Sequence, residues 1–103
     1  MFLKLRISEI YPLREGNRKS DGAPYAAREI KVYEHKQDGS YPDYLLVSLS
    51  GDMARQAEHW DMNQIYEADL SLSVDERLGR DGNIWRKQNI WARSIMPQEI
   101  AAF

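Results

Sequence analysis

Aromatic and cationic side chains alternate in the C-terminal part of this 103-residue sequence. Within residues 84–93, Trp85, Lys87, Trp91 and Arg93 all have the same parity. In an extended strand, residues of one parity point to the same face of the sheet. Rings that stack on bases, interleaved with cations that pair with phosphates, are what single-stranded nucleic acid binding needs. The opposite parity, which buries both tryptophans, is the alternative, and a bulge within the strand would split the two arrangements.

Two predicted loops also carry basic side chains. Residues 14–24 are rich in turn-forming residues, and we expect this loop to be mobile without a ligand. Residues 75–83 form a second charged loop, in which Asp81-Gly82 is a hairpin signal. The basic residues are Arg14, Arg18 and Lys19 in the first loop and Arg77 and Arg80 in the second.

No arrangement of residues predicts catalysis. The acidic pair Asp75-Glu76 has no neighbouring nucleophile or histidine, so a solvated turn is the better interpretation. The two histidines, His35 and His59, are isolated in different segments, and the sequence has no cysteine. A disulfide framework and a thiolate metal site are therefore excluded. We predict a protein that is not an enzyme, with no catalytic residue, no metal and no cofactor.

The composition is that of a globular protein with one domain. Hydrophobic residues make up 43% of the chain and charged residues 29%, which suffices for a single core. We expect one domain over residues 1–96 and a short C-terminal tail over residues 97–103. No apolar run is long enough to span a bilayer and the N-terminus lacks a signal-peptide core, so we expect a cytoplasmic protein without membrane contact. The net charge of −2 counts against a dedicated nucleic-acid-binding domain but permits a local basic surface.

Alternating apolar residues predict five strands. Met53, Ala57 and Trp60 recur at helical spacing and predict a short helix, with Asp52 as its N-cap. The predicted strands cover Leu3–Ile10, Tyr25–Glu34, Asp43–Ser50, Gln64–Val74 and Ile84–Arg93, the helix covers Met53–Trp60, and a turn covers Gln37–Ser40.

A helix between the third and fourth of five strands is the element order of the OB-fold barrel. This fold binds oligonucleotides on one strand face and on the flanking loops. We therefore predict an all-β protein with one short helix, folded as a five-stranded OB-fold barrel.

Several segments resemble the bacterial and phage family of single-stranded DNA-binding proteins. Residues 51–60 are similar to the family's Gly-x-x-Ala-x-x-Ala helix, and residues 64–70 to the strand that follows it. Residues 81–85 resemble the Asp-Gly-Asn hairpin before the family's last strand, and residues 14–26 its loop after the first strand. The resemblance implies the OB fold, a homo-oligomer (dimer or tetramer) and a role in DNA replication, recombination or repair.

We accordingly predict binding of single-stranded DNA through the outer face of the first, second and fifth strands and both basic loops. An OB-fold module for protein interaction or oligomerisation, without nucleic-acid binding, is the alternative. The net charge and the acidic side chains Glu67 and Asp69 on the fourth strand favour that alternative. The predicted stacking residues are Tyr33, Trp85 and Trp91, and the predicted phosphate contacts are Arg6, Arg18, Lys19, Lys31, Arg86, Lys87 and Arg93.

Overall fold

The computed structural model describes residues 1–36 and 43–97. The described strands are β1 (Phe2–Ile10), β2 (Arg14–Asn17), β3 (Pro24–Glu34), β4 (Tyr44–Ser50), β5 (Tyr66–Leu78) and β6 (Ile84–Pro97). Helix α1 (Gly51–Gln56) lies between β4 and β5 and continues into a 3-10 turn, Ala57–His59. The turn predicted over Gln37–Ser40, and the predicted tail after Pro97, lie outside the described residues.

Five of the strands form a near-closed ring. β3 pairs with β1 and β4, and β5 pairs with β1 and β6, always antiparallel. A parallel contact between β4 and β6, with Ser48 opposite Trp91, completes the ring. β2 pairs with β3 and adds a sixth strand to this mixed sheet. The protein is thus mostly β, and the predicted helix between the third and fourth strands of the ring is confirmed.

The hydrophobic core fills the ring. Alternate residues of each ring strand point inward, as the period of two predicts. Ala54 and Ala57 of the helical segment are fully buried, and Met53 and Trp60 pack against the core beside them. The Trp60 ring lies 5.8 Å from that of Tyr66. The buried hydrophobic strand residues are Leu5, Ile7, Ala26, Ile30, Val32, Val47, Leu49, Tyr66, Ala68 and Leu70.

The segment between β1 and β3 is more regular than predicted. We expected a loop over residues 14–24, but Arg14–Asn17 is the edge strand β2. The pairing with β3 suits a glycine at position 16, because the Tyr25 ring covers it and a Cβ there would lie 2.9 Å from that ring. The loop prediction was wrong for these four residues because turn-forming polar residues also suit an edge strand, one side of which faces water.

The N-cap of the helix lies two positions before the predicted one. Ser50 is the N-cap, and Asp52 lies inside the first turn, so the prediction of Asp52 as cap was wrong. The Asp52 carboxylate instead lies 3.4 Å from the Arg55 guanidinium. Gly51 has a φ of +63°, a backbone conformation that favours glycine and that turns the chain from β4 into the helix.

β5 and β6 extend beyond the ring as a long hairpin. We predicted a loop over residues 75–83, but β5 continues to Leu78, which lies opposite Ile84 at the start of β6. The loop prediction was wrong for residues 75–78 because charge does not prevent strand pairing where both faces of the sheet meet water. We call residues 72–90 the arm.

Three apolar residues of the arm have the parity of the core-facing residues but are exposed. Leu72, Val74 and Ile84 are 44%, 60% and 54% exposed. They lie beyond the ring, where no other strand of the described residues covers them. The period of two alone, which places these residues toward the core, therefore does not make them part of it.

Candidate nucleic-acid interface

Two tyrosines and an arginine form one row across the outer surface of the ring. Arg6 of β1 lies opposite Tyr33 of β3, which in turn lies opposite Tyr44 of β4. The two tyrosine rings are in edge-to-face contact, with centroids 5.7 Å apart and planes at 62°. Tyr44 is 52% exposed, so its ring has a free surface on which a base can stack.

The next row continues this aromatic surface. Lys31 of β3 lies opposite Leu46 of β4, and its ammonium group lies 4.6 Å from the centroid of the Tyr44 ring. Leu46 is exposed. Tyr44 and Leu46 are not among the predicted contact residues, although their even parity differs from that of the buried Val47 and Leu49 and so points them outward.

The third row reaches β6. Ser48 of β4 lies opposite Trp91, whose indole is 44% exposed. Ile90 and Ala92, on either side of Trp91, pack against the core. We call Lys31, Tyr33, Tyr44, Leu46 and Trp91 the platform.

A bulge resolves the parity of the last strand. Asp69 of β5 lies opposite Ser94 and Leu70 opposite Ala92, so Arg93 is an extra residue on β6. Before the bulge, both Trp85 and Trp91 are on the outer face, and after it Ile95 turns back to the core. The sequence allowed both parities because the change of face requires a pairing with β5 that no local pattern encodes.

A cleft separates the two strands that join at the platform. β4 and β6 form a single bridge, between Ser48 and Trp91. The opening has a volume of about 290 Å³. Tyr44 and Leu46 line one wall, and Lys87 and Asn89 line the other. The cleft therefore combines an aromatic wall with a polar, cationic wall.

The cations around the platform differ in their availability. Within the parts of the chain that the structure describes, no carboxylate lies within 4.0 Å of the charged atoms of Lys31, Lys87 or Arg93. Arg6 donates from Nε to Nδ1 of His35 and from Nη1 to the carbonyl oxygen of Asn63, both at 3.4 Å. Arg6 is therefore partly engaged in holding the neighbouring chain segments.

Other predicted contact residues lie away from the platform. Arg18 and Lys19 are exposed in the turn between β2 and β3, and the Arg18 guanidinium lies 4.0 Å from Asp21. Arg86 is on the opposite face of the arm, where its Nε lies 2.9 Å from Oε1 of Glu76. The structure therefore does not bring Arg86 together with the other predicted residues.

Trp85 lies at the tip of the arm. Its indole covers Gly79, where a Cβ would lie 2.6 Å from Nε1. Trp85 is six positions from Trp91, which corresponds to about 20 Å along a strand. It shares the face of Trp91 but cannot stack on the same base.

Acidic groups limit the positive charge of this surface. Glu29 lines the cleft and lies 3.6 Å from the Arg14 guanidinium, which neutralises it in part. On the same face of the arm as Trp91, the Asp75 carboxylate accepts a 2.6 Å hydrogen bond from the Asn89 side chain. The platform, together with the nearby Lys87 and Arg93, is thus a local cationic surface on a protein with net negative charge.

The pKa shifts of Tyr66, Tyr11 and Asp81 have local structural causes. Burial raises the pKa of Tyr66, inside the ring, and a hydrogen bond with Glu9 raises the pKa of Tyr11, outside the platform. In the arm's turn, hydrogen bonds from the backbone and side chain of Asn83 lower the pKa of Asp81. These shifts belong to local structural contacts, and none of these residues lines the cleft.

Among residues 1–36 and 43–97, no three potential ligands of the His, Cys, Asp or Glu type come together. No helix in this part of the chain is both long and apolar enough to cross a membrane.

No protein-family model matches this chain, and no curated protein is significantly similar to it.

Proposed function

We propose that this protein is a non-enzymatic OB-fold protein that binds single-stranded DNA. The order of the ring supports the fold assignment: β1, β3, β4, β6 and β5 follow one another around the ring, with β4 and β6 parallel. OB folds bind oligonucleotides on their second and third strands and on the loops that follow the first and fourth. In this chain, those strands are β3 and β4, the connection after the first strand is residues 11–23 and includes β2, and the loop after the fourth is residues 79–83.

The platform is the observation that carries the proposal. The rings of Tyr33, Tyr44 and Trp91 lie together on the outer face of β3, β4 and β6, and this grouping supports binding of bases there. Bases stack on aromatic rings without sequence preference, at about 1–3 kcal/mol per base. Lys31 and Lys87 flank the rings at positions suited to the phosphates between stacked bases.

The small number of free cations limits the expected electrostatic contribution. Each phosphate that is neutralised on a single strand changes the slope of log affinity against log salt by about 0.7. Lys31, Lys87 and Arg93 are the cations nearest the platform that have no carboxylate within 4.0 Å among the described residues, so we expect a shallow salt dependence for short oligonucleotides. Longer ones also reach Arg18 and Lys19 on the loop before β3.

Titration of tryptophan fluorescence with oligo-dT tests the proposal. The expected result is quenching at low salt that saturates and weakens at moderate salt, because stacking on an indole changes its emission. Duplex DNA of the same length is the control, since paired bases cannot stack on the platform. No change in emission and no measurable affinity for oligo-dT at low salt would refute the proposal.

A protein-interaction or oligomerisation module is the second candidate function. The observation that favours it is the apolar side of the arm, where Val74 and Leu78 are 60% and 77% exposed. The negative net charge also fits this candidate. The two candidates differ in one measurement, because only the first requires affinity for oligo-dT. A role in DNA replication, recombination or repair in the cytoplasm belongs only to the first candidate function, the binding of single-stranded DNA.

A further inference from the structure

The face that carries the platform also carries a carboxylate. Glu29 of β3 lies opposite Ser48 of β4, which is paired in turn with Trp91 of β6. The Glu29 side chain is 36% exposed and lines the cleft. Because a carboxylate repels a phosphate, the part of a bound strand that lies over Glu29 has to be a base.

Glu29 and Ser48 both have unused hydrogen-bonding capacity. Nη2 of Arg14 lies 3.6 Å from Oε1 of Glu29, which holds the carboxylate in place but is too long for a hydrogen bond. Within residues 1–36 and 43–97, neither the Glu29 carboxylate nor the Ser48 hydroxyl makes a hydrogen bond. An ionised carboxylate has two acceptor oxygens, and a hydroxyl can donate as well as accept. These two neighbours can therefore present two acceptors and one donor to the edge of a base.

We propose that the cleft beside Trp91 binds a guanine base, so that the protein prefers guanine at this position of the single strand. This inference rests on the proposed function. Glu29 accepts hydrogen bonds from N1–H and N2–H of guanine, and the Ser48 hydroxyl donates to O6. The base lies against Tyr44 and Leu46, which line the same cleft. The cleft volume of about 290 Å³ is near the lower limit for a small-molecule site.

The other bases of DNA match this pair of side chains less well. Guanine alone has two adjacent N–H donors on its Watson–Crick edge, followed by an acceptor. Thymine has a single N–H between two carbonyl oxygens, which the carboxylate repels. Cytosine and adenine each have an amino group beside a ring nitrogen that is an acceptor, so one oxygen of Glu29 loses its partner. Glu29 therefore selects guanine because every other base leaves polar groups unpaired.

Lys87 on the other wall of the cleft compensates for the negative charge of Glu29. Its ammonium group has no carboxylate within 4.0 Å among the described residues. The two walls thus differ in the sign of their charge, as the two ends of a nucleotide require. The edge of the base, with its N–H donors, faces Glu29, and the phosphate of the same nucleotide faces Lys87.

Competition between single-stranded oligonucleotides of one length tests the proposal. The probe is a short oligo-dT in which one central nucleotide is dG, and the references carry dT, dC, dA or deoxyinosine at that position. A bidentate contact to a base discriminates by about 5- to 150-fold in Kd. Because Glu29 is partly exposed to water, we expect the dG strand to bind about 5- to 20-fold more tightly than the dT strand. Deoxyinosine lacks the 2-amino group and should lose much of this gain.

Two charge-matched variants identify the residue that reads the base. Glu29→Gln should bring the ratio of the dG and dT affinities to about one, because an amide offers one acceptor and one donor in place of two acceptors. Glu9→Gln is the matched control, since Glu9 is an exposed carboxylate opposite Lys31 that does not line the cleft. It removes the same charge and should retain the ratio.

The outcomes separate this inference from the proposed function. Equal affinities of wild type for the dG and dT strands, or a deoxyinosine strand that binds as tightly as the dG strand, would overturn the guanine site while DNA binding stands. Equal effects of Glu29→Gln and Glu9→Gln on the ratio would do the same. No affinity for any of these strands would overturn both. The deoxyinosine comparison uses the unaltered protein, so it does not depend on the folding of a variant.

Discussion

Replacement of Trp91 with alanine is the most direct test of the platform. The indole is 44% exposed, so about half of its surface is available to a base. Stacking of one base contributes about 1–3 kcal/mol, which corresponds to a change in Kd of about 5- to 150-fold. Because half of the indole is covered by its own protein, we expect Trp91→Ala to weaken oligo-dT binding toward the lower end of this range.

The same variant should leave the salt dependence unchanged. An indole releases no counterions, so the slope of log affinity against log salt should remain that of wild type. Lys87→Gln is the complementary change, and it should reduce this slope by about 0.7 if Lys87 neutralises one phosphate of a single strand. Anisotropy of a labelled oligo-dT at several salt concentrations measures both effects without relying on tryptophan emission.

Trp85→Ala is the matched control for Trp91→Ala. Both residues are tryptophans on the same face of β6, but they are about 20 Å apart. An oligonucleotide short enough to occupy only the platform should therefore bind the Trp85→Ala variant as tightly as wild type. An unchanged affinity of a folded Trp91→Ala protein would refute stacking on this indole. If that variant does not fold, as judged by circular dichroism, Tyr44→Ala makes the same test at the other end of the platform.

Three further predictions concern stability and the arm. Arg28 is 4% exposed, its guanidinium lies 3.7 Å from the half-exposed Glu58, and its Nε and Nη1 are unpartnered among the described residues. We expect Arg28→Met to leave the free energy of unfolding in urea unchanged or to raise it by up to about 1–4 kcal/mol. A lower urea midpoint would contradict this. Gly79→Ala should displace the Trp85 indole, because the new Cβ would lie 2.6 Å from its Nε1, and should shift the tryptophan emission without loss of fold. Hydrogen bonds from Asn83 lower the folded-state pKa of Asp81, so these bonds should stabilise the arm's turn at any pH above the ordinary aspartate pKa. The turn should open as the pH falls through the lowered pKa. Amide exchange measures this opening, and Asp81→Asn should remove its pH dependence.

Local patterns in the sequence were sufficient to predict most elements of the ring. The alternation of Leu5, Ile7, Val47 and Leu49 predicted which side of each strand is buried, because burial of one face imposes a period of two. The helix between the third and fourth ring strands was also predicted from spacing. β2 was not, because a short edge strand of polar residues looks like a loop until its partner strand is known.

The tertiary structure decided which outward residues share a surface. The sequence by itself determined that Tyr33 and Trp91 belong to strands and that cations alternate with them, but it contained no information on which strand lies beside which. The register of β3, β4 and β6 brought Tyr44 next to Tyr33 and Trp91 next to Ser48. Pairing between strands is a non-local interaction, so neither the platform nor the exposure of the arm can be derived from the periodicity of a single segment.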